Sequence, residues 1–201
     1  MYISKLVIDM KTMDSLKALE DAYEMHRFIS RAFPNVNGSL GRVLYRIDGN
    51  QVIVVSELEP DWKNIFEGGH LESPAQSKEY DPFVPEGGIV DFRLFAGPSI
   101  CSKSGRSFEE RGKRRAILDE KGQVEWLERK LSGSARVSGI SRLDQKVVRG
   151  KKRGHKYKIN LPSVLYEGRL VVEDASEFCD LLKGNIGRGQ MLGLGLLSVK
   201  R

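Results

Sequence analysis

Residues 41–58, GRVLYRIDGNQVIVVSEL, decide the fold, because two apolar runs rich in β-branched residues flank a tight turn. Asp48-Gly49-Asn50 supplies the turn, and such residues favour the backbone conformations of a short hairpin connection. The pattern predicts antiparallel strands at Gly41–Ile47 and Gln51–Leu58. The chain is therefore expected to contain an antiparallel sheet.

A strand and a helix are predicted upstream of this hairpin. Tyr2–Met10 has a short β-rich centre, and Asp14 or Ser15 can cap a helix that continues to about Phe33 and is stopped by Pro34. The apolar residues of that helix fall on one broad arc, which predicts an amphipathic helix packed on a flat surface: Ala18, Leu19, Ala22, Tyr23, Met25, His26, Ile29, Ala32 and Phe33.

The stretch downstream of the hairpin is irregular and then returns to a strand. Glu59–Glu86 contains four prolines and is predicted to be mostly loop with one short helix. Gly88–Ala96 reads as a strand, with apolar residues at most positions. The order β-α-β-β-(irregular)-β is typical of a ferredoxin-like unit whose second helix is degraded.

The second half repeats this order of elements, although no repeat is visible in the sequence itself. We therefore predict an α+β fold of two tandem ferredoxin-like (RRM-like) domains with antiparallel sheets: an N-terminal domain at 1–97, a linker at 98–112 and a C-terminal domain at 113–201. The predicted elements of the second half are a strand around 116–118, a helix at 123–131, strands at 135–141, 145–148 and 163–173, a helix at 175–183 and a final strand at 194–199.

Composition restricts the class of protein. Of the 201 residues 40% are apolar and 30% charged, and no stretch approaches the roughly 20 apolar residues of a membrane span. Cys101 and Cys179 lie far apart and form no disulfide framework, and the N-terminus has no pattern of a secretory leader. We expect a cytoplasmic protein without a membrane partner.

The positive charge is concentrated in the second half. The net charge is −5 over residues 1–100 and +11 over residues 101–201, and Arg142–Lys158 holds eight basic residues and one acid. A solvated charged face is one interpretation of such a run. The basic residues alternate with apolar ones, however, and Gly150 and Gly154 bracket Lys151-Lys152-Arg153, which predicts a hairpin with a basic tip. Such a ribbon suits a polyanion such as nucleic acid.

The glycine-rich stretch 184–195 does not match a nucleotide-binding motif. Its glycines miss the G-x-G-x-x-G spacing by one residue, and Gly189 is followed by Gln190 rather than the Lys of a P-loop. Closely spaced glycines still let backbone N–H groups approach a phosphate, with Arg188 adding charge. A tight turn from a helix to a strand explains the same residues.

Other chemical motifs are missing from the sequence. The histidines and cysteines have no metal-ligand spacing, and there is no G-x-S-x-G elbow and no RNP consensus. Tyr23 and His26 remain, three residues apart on one face of the predicted helix. An imidazole can transfer a proton at neutral pH and a phenol can orient it, although His26 could equally be a core residue.

Taken together, several segments resemble the CRISPR-associated endoribonuclease of type I-E systems, the CasE family. The similarity spans nearly the whole chain in order and spacing. The segments that carry it are Met1-Tyr2-Ile3-Ser4-Lys5-Leu6-Val7-Ile8, Tyr23-x-x-His26 with Ala32-Phe33-Pro34, Lys113-Arg114-Arg115, Trp126-Leu127-x-Arg129-Lys130-Leu131, Tyr166-Glu167-Gly168-x-Leu170 and Gly193-Leu194-Gly195-Leu196-Leu197-Ser198. One departure is Leu194, where the family often has a cysteine.

The resemblance implies a metal-independent endoribonuclease, with no cofactor, that cleaves the repeat hairpin of CRISPR precursor RNA and keeps the guide RNA within the Cascade complex with its other subunits. His26 would transfer a proton with Tyr23 as its companion, and Gly187, Gly189, Gly193 and Gly195 would lie near the RNA backbone. The implied RNA-binding residues are Lys113, Arg114, Arg115, Arg129, Arg142, Lys146, Arg149, Lys151, Lys152, Arg153, Lys156, Lys158 and Arg188.

Two other functions are compatible with the residues. A non-catalytic subunit that binds an RNA hairpin would use the same basic surface, with His26 in the core. A metal-dependent nuclease would need carboxylates from the acidic first half, for example Asp9, Asp14 and Asp91, but these form no clustered motif in the sequence.

Overall fold

The computed structural model describes residues 1–33, 41–101, 114–151 and 158–200. In chain order, the strands and helices are β1 (Tyr2–Val7), α1 (Met13–Glu20), α2 (Ala22–Ser30), β2 (Val43–Asp48), β3 (Gln51–Ser56), α3 (Lys63–Glu67), β4 (Gln76–Glu79), β5 (Ile89–Ala96), β6 (Ser99–Cys101), β7 (Arg114–Ala116), α4 (Glu120–Leu131), β8 (Ala135–Lys151), β9 (Lys158–Val172), α5 (Ala175–Lys183) and β10 (Leu197–Lys200).

The first sheet has the strand order β2-β3-β1-β4, and the paired strands are antiparallel. The predicted hairpin is confirmed: β2 pairs with β3 up to Asp48 opposite Gln51. The central strand β1 pairs with β3 on one side and β4 on the other. Together with α1, α2 and α3, these strands form a ferredoxin-like unit.

The first helical segment is broken, whereas the sequence predicted one continuous helix to about Phe33. Asp21 has extended backbone angles (φ −123°, ψ 115°) and ends α1, and its carboxylate caps α2. A side chain that satisfies the free N–H groups of a helix start compensates for the interruption. The result is two short helices in place of one.

Strand β5 belongs to the second sheet, not to the first unit as predicted. It pairs antiparallel with β9 and with β10, and β4 closes the first sheet in its place. All four side chains of β4 (Gln76–Glu79) are exposed, so an edge strand held by backbone pairing left no apolar pattern to detect. The predicted division of the chain at residue 97 stays a prediction.

The second sheet has the order β10-β5-β9-β8 and repeats the topology of the first. Its long hairpin pairs β8 with β9 from Ala135 opposite Val172 to Lys151 opposite Lys158, with irregularities between Val137 and Gly139 and between Ile140 and Arg142. The two strands predicted at 135–141 and 145–148 are thus one strand. Helix α5 has the predicted bounds, and the last strand is shorter than predicted.

Two apolar cores lie between the sheets and their helices. The first joins α1, α2 and α3 to β1, β2 and β3, and includes Met25 and Tyr45. The second joins α4 and α5 to the second sheet, and includes Trp126, Tyr166 and Phe178. The α+β fold of tandem ferredoxin-like units is confirmed. Most of the predicted linker, residues 102–112, lies outside the described residues.

Ion pairs join the two sheets across their facing surfaces. Arg46 in β2 is 5% exposed, and its guanidinium pairs with Asp48 at 2.9 Å and donates to the Ser198 hydroxyl of β10 at 2.7 Å. Arg93 of β5 pairs with Asp48 at 3.3 Å and with Glu167 of β9. Because the buried guanidinium has partners on both sheets, its hydrogen bonds help to fix the orientation of one sheet relative to the other.

The second core provides a direct test of the fold. Phe178 of α5 is completely buried, so Phe178→Ala should lower the free energy of unfolding by about 3–5 kcal/mol, because it leaves a cavity. Urea denaturation measures this change. The control Ile89→Ala, on a side chain that is 64% exposed, should change it by less than about 0.5 kcal/mol. Equal effects of the two substitutions would contradict this packing.

Candidate functional site

Helix α2 places Tyr23 and His26 at the boundary between the core and the surface. Both side chains are half-buried, whereas Met25, Phe28 and Ile29 of the same helix are buried in the first core. Burial lowers the pKa of His26 from its ordinary value of 6.5, because desolvation disfavours the charged imidazolium. The imidazole is nevertheless partly exposed, so a bound substrate can reach it for proton transfer.

The end of strand β8 lies against the start of α2. The backbone N–H of Lys151 donates to the Asp21 carboxylate, with an N···Oδ2 distance of 2.9 Å. Gly150 faces the ring of Tyr23, since a Cβ built on Gly150 would lie 2.9 Å from Tyr23 Cδ2. The basic ribbon predicted from the sequence therefore reaches the helix that carries Tyr23 and His26.

The glycine-rich loop between α5 and β10 also lies near the start of α2, where the Tyr45 side chain links the two. The Tyr45 hydroxyl of β2 is within 3.1 Å of the Ala22 carbonyl and within 2.9 Å of the Met191 carbonyl, and donates to these acceptors. The side-chain amide of Gln190 donates to the Val43 carbonyl at 2.9 Å. Burial and the nearby Asp21 charge raise the pKa of Tyr45. The phenol thus stays a neutral hydrogen-bond donor.

The loop itself is a compact turn from a helix to a strand. A short 3₁₀ turn, Gln190–Leu192, lies between Gly189 and Gly193. Gly193 has φ 75°, and a Cβ on it would lie 2.8 Å from Cε2 of Tyr45. Glycine is therefore required at this position both by the backbone angle and by the aromatic ring. A tight turn from a helix to a strand therefore explains this glycine. The contact of the loop with RNA stays a prediction.

The predicted RNA-binding residues occupy different environments. Arg142 is paired with Asp144 and with Glu167 at 3.8 Å, which raises the pKa of its guanidinium and ties it to the sheet. The other described members are exposed: Arg114 and Arg115 on β7, Arg129 on α4, Lys146, Arg149 and Lys151 on β8, Lys158 on β9, and Arg188 in the glycine-rich loop. Lys113, Lys152, Arg153 and Lys156 lie outside the described residues.

Sequence reasoning missed Asp21 and Tyr45. Asp21 is a residue type that favours helix starts, so its position before Ala22 was a usable signal of the break. Tyr45 lies in a strongly apolar strand and gave no sign that its hydroxyl bridges a helix and a loop that is 146 residues distant along the chain. Contacts of such long range are set by the packing of the two units.

No group of three or more His, Cys, Asp or Glu side chains that could hold a metal ion occurs within the described residues. Asp9, Asp14 and Asp91 accordingly form no such group. Cys101 is exposed, and the half-buried Cys179 donates from its Sγ to the Pro82 carbonyl at 2.7 Å. In the described part of the chain, no helix has the length and apolar character needed to cross a membrane.

The chain is similar along its full length to known CRISPR proteins. A family model described as "CRISPR associated protein" matches residues 1–201. The CRISPR-associated endoribonuclease Cse3 of Thermus thermophilus is 32% identical over 99% of both chains. The Cascade subunit CasE of Escherichia coli is 25% identical over 99% of this chain and 98% of that protein.

Solved structures agree with these sequence relatives. A structure of Cse3 bound to a 19-nucleotide RNA superposes with a TM-score of 0.81 at 30% identity, covering all of both chains. The Cas6e protein of Escherichia coli superposes with a TM-score of 0.68 at 25% identity, covering 99% of this chain and 98% of that one.

The contact between Gly193 and Tyr45 leads to a stability prediction. Gly193→Ala should be more destabilising than Gly49→Ala, which has a similar positive φ of 66° but nothing within 4 Å of the added methyl group. Backbone strain alone costs about 1–2 kcal/mol, and crowding against the Tyr45 ring should add at least about 1 kcal/mol. Urea unfolding of both variants measures the difference, and equal losses would mean that the loop does not pack on Tyr45.

Proposed function

Because the chain belongs to the family of CRISPR-associated proteins that includes Cse3 and CasE, we propose that it is an endoribonuclease that cleaves the repeat hairpin of CRISPR precursor RNA. Its relative of 32% identity is named as an endoribonuclease, and Cse3 structures were solved with a 19-nucleotide RNA and with an RNA representing a pre-cleavage complex. These properties of the relatives support the same substrate class for this chain.

One observation of the structure carries the proposal: strand β8 of the basic ribbon contacts the helix that bears Tyr23 and His26. Lys151 and Gly150 at the end of β8 contact Asp21 and Tyr23 at the start of α2. An RNA stem held along the ribbon would therefore approach a half-buried imidazole. A non-catalytic RNA clamp needs no such placement, and a core histidine would be buried like Met25.

The chemistry uses the RNA as its own nucleophile. The 2′-oxygen attacks the adjacent phosphorus, the bond from phosphorus to the 5′-oxygen breaks, and the products are a 2′,3′-cyclic phosphate and a 5′-hydroxyl. The proton lost by the 2′-hydroxyl passes to a base, and the departing 5′-oxygen takes one up. We assign the transfer of a proton to the 5′-oxygen to His26, with Tyr23 as a hydrogen-bonding companion. In this scheme the reaction uses no metal ion.

Recognition of the substrate divides between charge and shape. The deep, narrow major groove of an A-form stem hides base edges and presents backbone phosphates, which basic side chains can follow. Lys146, Arg149, Lys151 and Lys158 are exposed on the ribbon and suit this role. The glycine-rich loop beside α2 would lie near the RNA backbone, with the exposed Arg188 adding positive charge.

The product would stay bound as part of a larger complex. One relative is named as a Cascade subunit, which supports retention of the guide RNA among other Cascade subunits, and we expect that complex to lie in the cytoplasm. A protein that makes one cut and keeps its product needs affinity rather than rapid turnover, and a surface rich in cations suits that requirement.

Removing the imidazole should slow the chemistry. His26→Ala should reduce the single-turnover cleavage of a repeat hairpin by about 10²–10⁴-fold in the presence of EDTA, because one positioned proton transfer is lost. The control His70→Ala removes a histidine whose ring packs against Phe28 and should keep most of the rate. An unchanged rate in His26→Ala would remove His26 from the active site, and loss of wild-type activity in EDTA would remove metal independence.

The pH dependence identifies the direction of the proton transfer. The pKa of His26 lies below 6.5 in the free protein, so the donating imidazolium is lost as the pH rises through that pKa. The value of kcat/KM for wild-type protein should therefore fall as the pH rises through this region, and His26→Ala should lack the step. A rise in place of a fall would assign His26 the role of the base.

Charge at the tip of the ribbon should control the salt dependence of binding. The slope of log K against log salt concentration is negative for RNA binding. Replacing Lys151, Lys152 and Arg153 by Gln should reduce its magnitude by roughly two units, if each residue neutralises one phosphate. The matched control replaces Lys17, Lys63 and Lys121, which are exposed lysines paired within their own helices, and should leave the slope unchanged. An unchanged slope in the first variant would indicate a solvated face.

A further inference from the structure

The two oxygens of the Asp21 carboxylate accept hydrogen bonds from two parts of the chain that are distant in sequence. Oδ1 accepts the backbone N–H groups of Tyr23, at 2.8 Å, and of Glu24, at 3.4 Å, and so caps α2. Oδ2 accepts the backbone N–H of Lys151 at 2.9 Å, across 130 residues of sequence. One side chain thus caps the helix that carries His26 and binds the end of strand β8.

We propose that Asp21 is a positioning residue that sets the distance between the RNA held by the ribbon and the imidazole of His26. This inference rests on the proposed function. Asp21 contacts neither reacting atoms nor RNA in this scheme. It acts through the backbone of α2, on which His26 follows one turn later, and through the backbone of β8.

The other aspartate-capped helix starts in the described part of the chain do not share this arrangement. Asp119 caps α4 by accepting the Gly122 N–H at 2.7 Å, and Asp174 caps α5 by accepting the Glu177 N–H at 2.8 Å. Each of these bonds lies within three residues of the cap. Among the described residues, Asp21 is the capping aspartate that also accepts a hydrogen bond from a remote strand.

Gly150 supplies the space that the contact requires. A Cβ built on it would lie 2.9 Å from Tyr23 Cδ2 and 3.7 Å from Asp21 Oδ1. Any larger residue would push the ribbon away from α2 or displace the Tyr23 ring. A Cβ built on Gly139 of the same strand would have nothing within 4 Å, so this glycine provides a matched comparison.

The ribbon donates to Asp21 through a backbone N–H. The contact that positions the ribbon is therefore independent of the charged side chains that would bind RNA. The hydrogen bond to Asp21 does not use the Lys151 side chain, so that side chain stays available for a phosphate. Serine is as good a helix cap as aspartate, but it has one oxygen in place of two. Asp21→Ser therefore keeps the cap of α2 and removes the bond to Lys151, whereas Asp21→Ala removes both.

The experiment compares binding with the rate of the bound complex, using the full chain and a repeat hairpin in EDTA. At saturating protein, single-turnover cleavage by Asp21→Ser should be about 10–100-fold slower than wild type, because a small misplacement of reacting groups has a large effect on rate. The dissociation constant of the hairpin should stay within about twofold. Amide hydrogen exchange at Lys151 should become faster. Asp174→Ser, at the start of α5, should keep the wild-type rate.

Gly150→Ala gives an independent test if Asp21 variants fold poorly. Like Asp21→Ser, it should slow single-turnover cleavage and leave the dissociation constant of the hairpin almost unchanged. Gly139→Ala should match the wild type in both measurements. A wild-type rate at saturation in Asp21→Ser or Gly150→Ala would overturn the positioning role, as would a loss of rate explained entirely by weaker binding. Failure of the wild-type chain to cleave would instead overturn the proposed function, and the exchange of the Lys151 amide would still report on the bond.

Discussion

The hydrogen bonds of the Asp21 carboxylate connect the two halves of this protein at the point where its chemistry is proposed to occur. The first unit supplies a short helix with a half-buried histidine, and the second supplies a long basic hairpin. In the proposed site the helix supplies the imidazole of His26 and the hairpin supplies positive charge for RNA, so the site needs both units. The close contact between Gly150 and the Tyr23 ring brings these two ferredoxin-like units together at the proposed site.

Much of this architecture is readable from local patterns. The first hairpin, helix α5 and the basic ribbon follow from turn residues, helix caps and alternation, which act over a few neighbouring positions. Strand β4 was missed because its four residues are polar and exposed, so it has no apolar alternation, although backbone pairing and the hydrogen bond between the Ser4 and Ser77 hydroxyls hold it against β1. Strand β5 was recognised but assigned to the wrong sheet, since an apolar strand does not specify its partners.

The site was predictable only in part, for a related reason. Tyr23, His26 and the ribbon stand out by residue type and spacing. Asp21 and Tyr45 act through single hydrogen bonds to residues more than a hundred positions away, and a sequence read along its length contains no sign of such pairs. Asp21 is a local signal of the break between α1 and α2, but the apolar arc that continues across the break favours one helix.

The most direct test of the account is the chemical identity of the RNA ends after cleavage. Mass spectrometry of a repeat hairpin cut by the wild-type protein in chelator should find a 2′,3′-cyclic phosphate on one fragment and a 5′-hydroxyl on the other, since the strand supplies its own nucleophile. A 5′-phosphate and a 3′-hydroxyl would contradict the account, because those ends require water as the nucleophile and a different arrangement of catalytic groups.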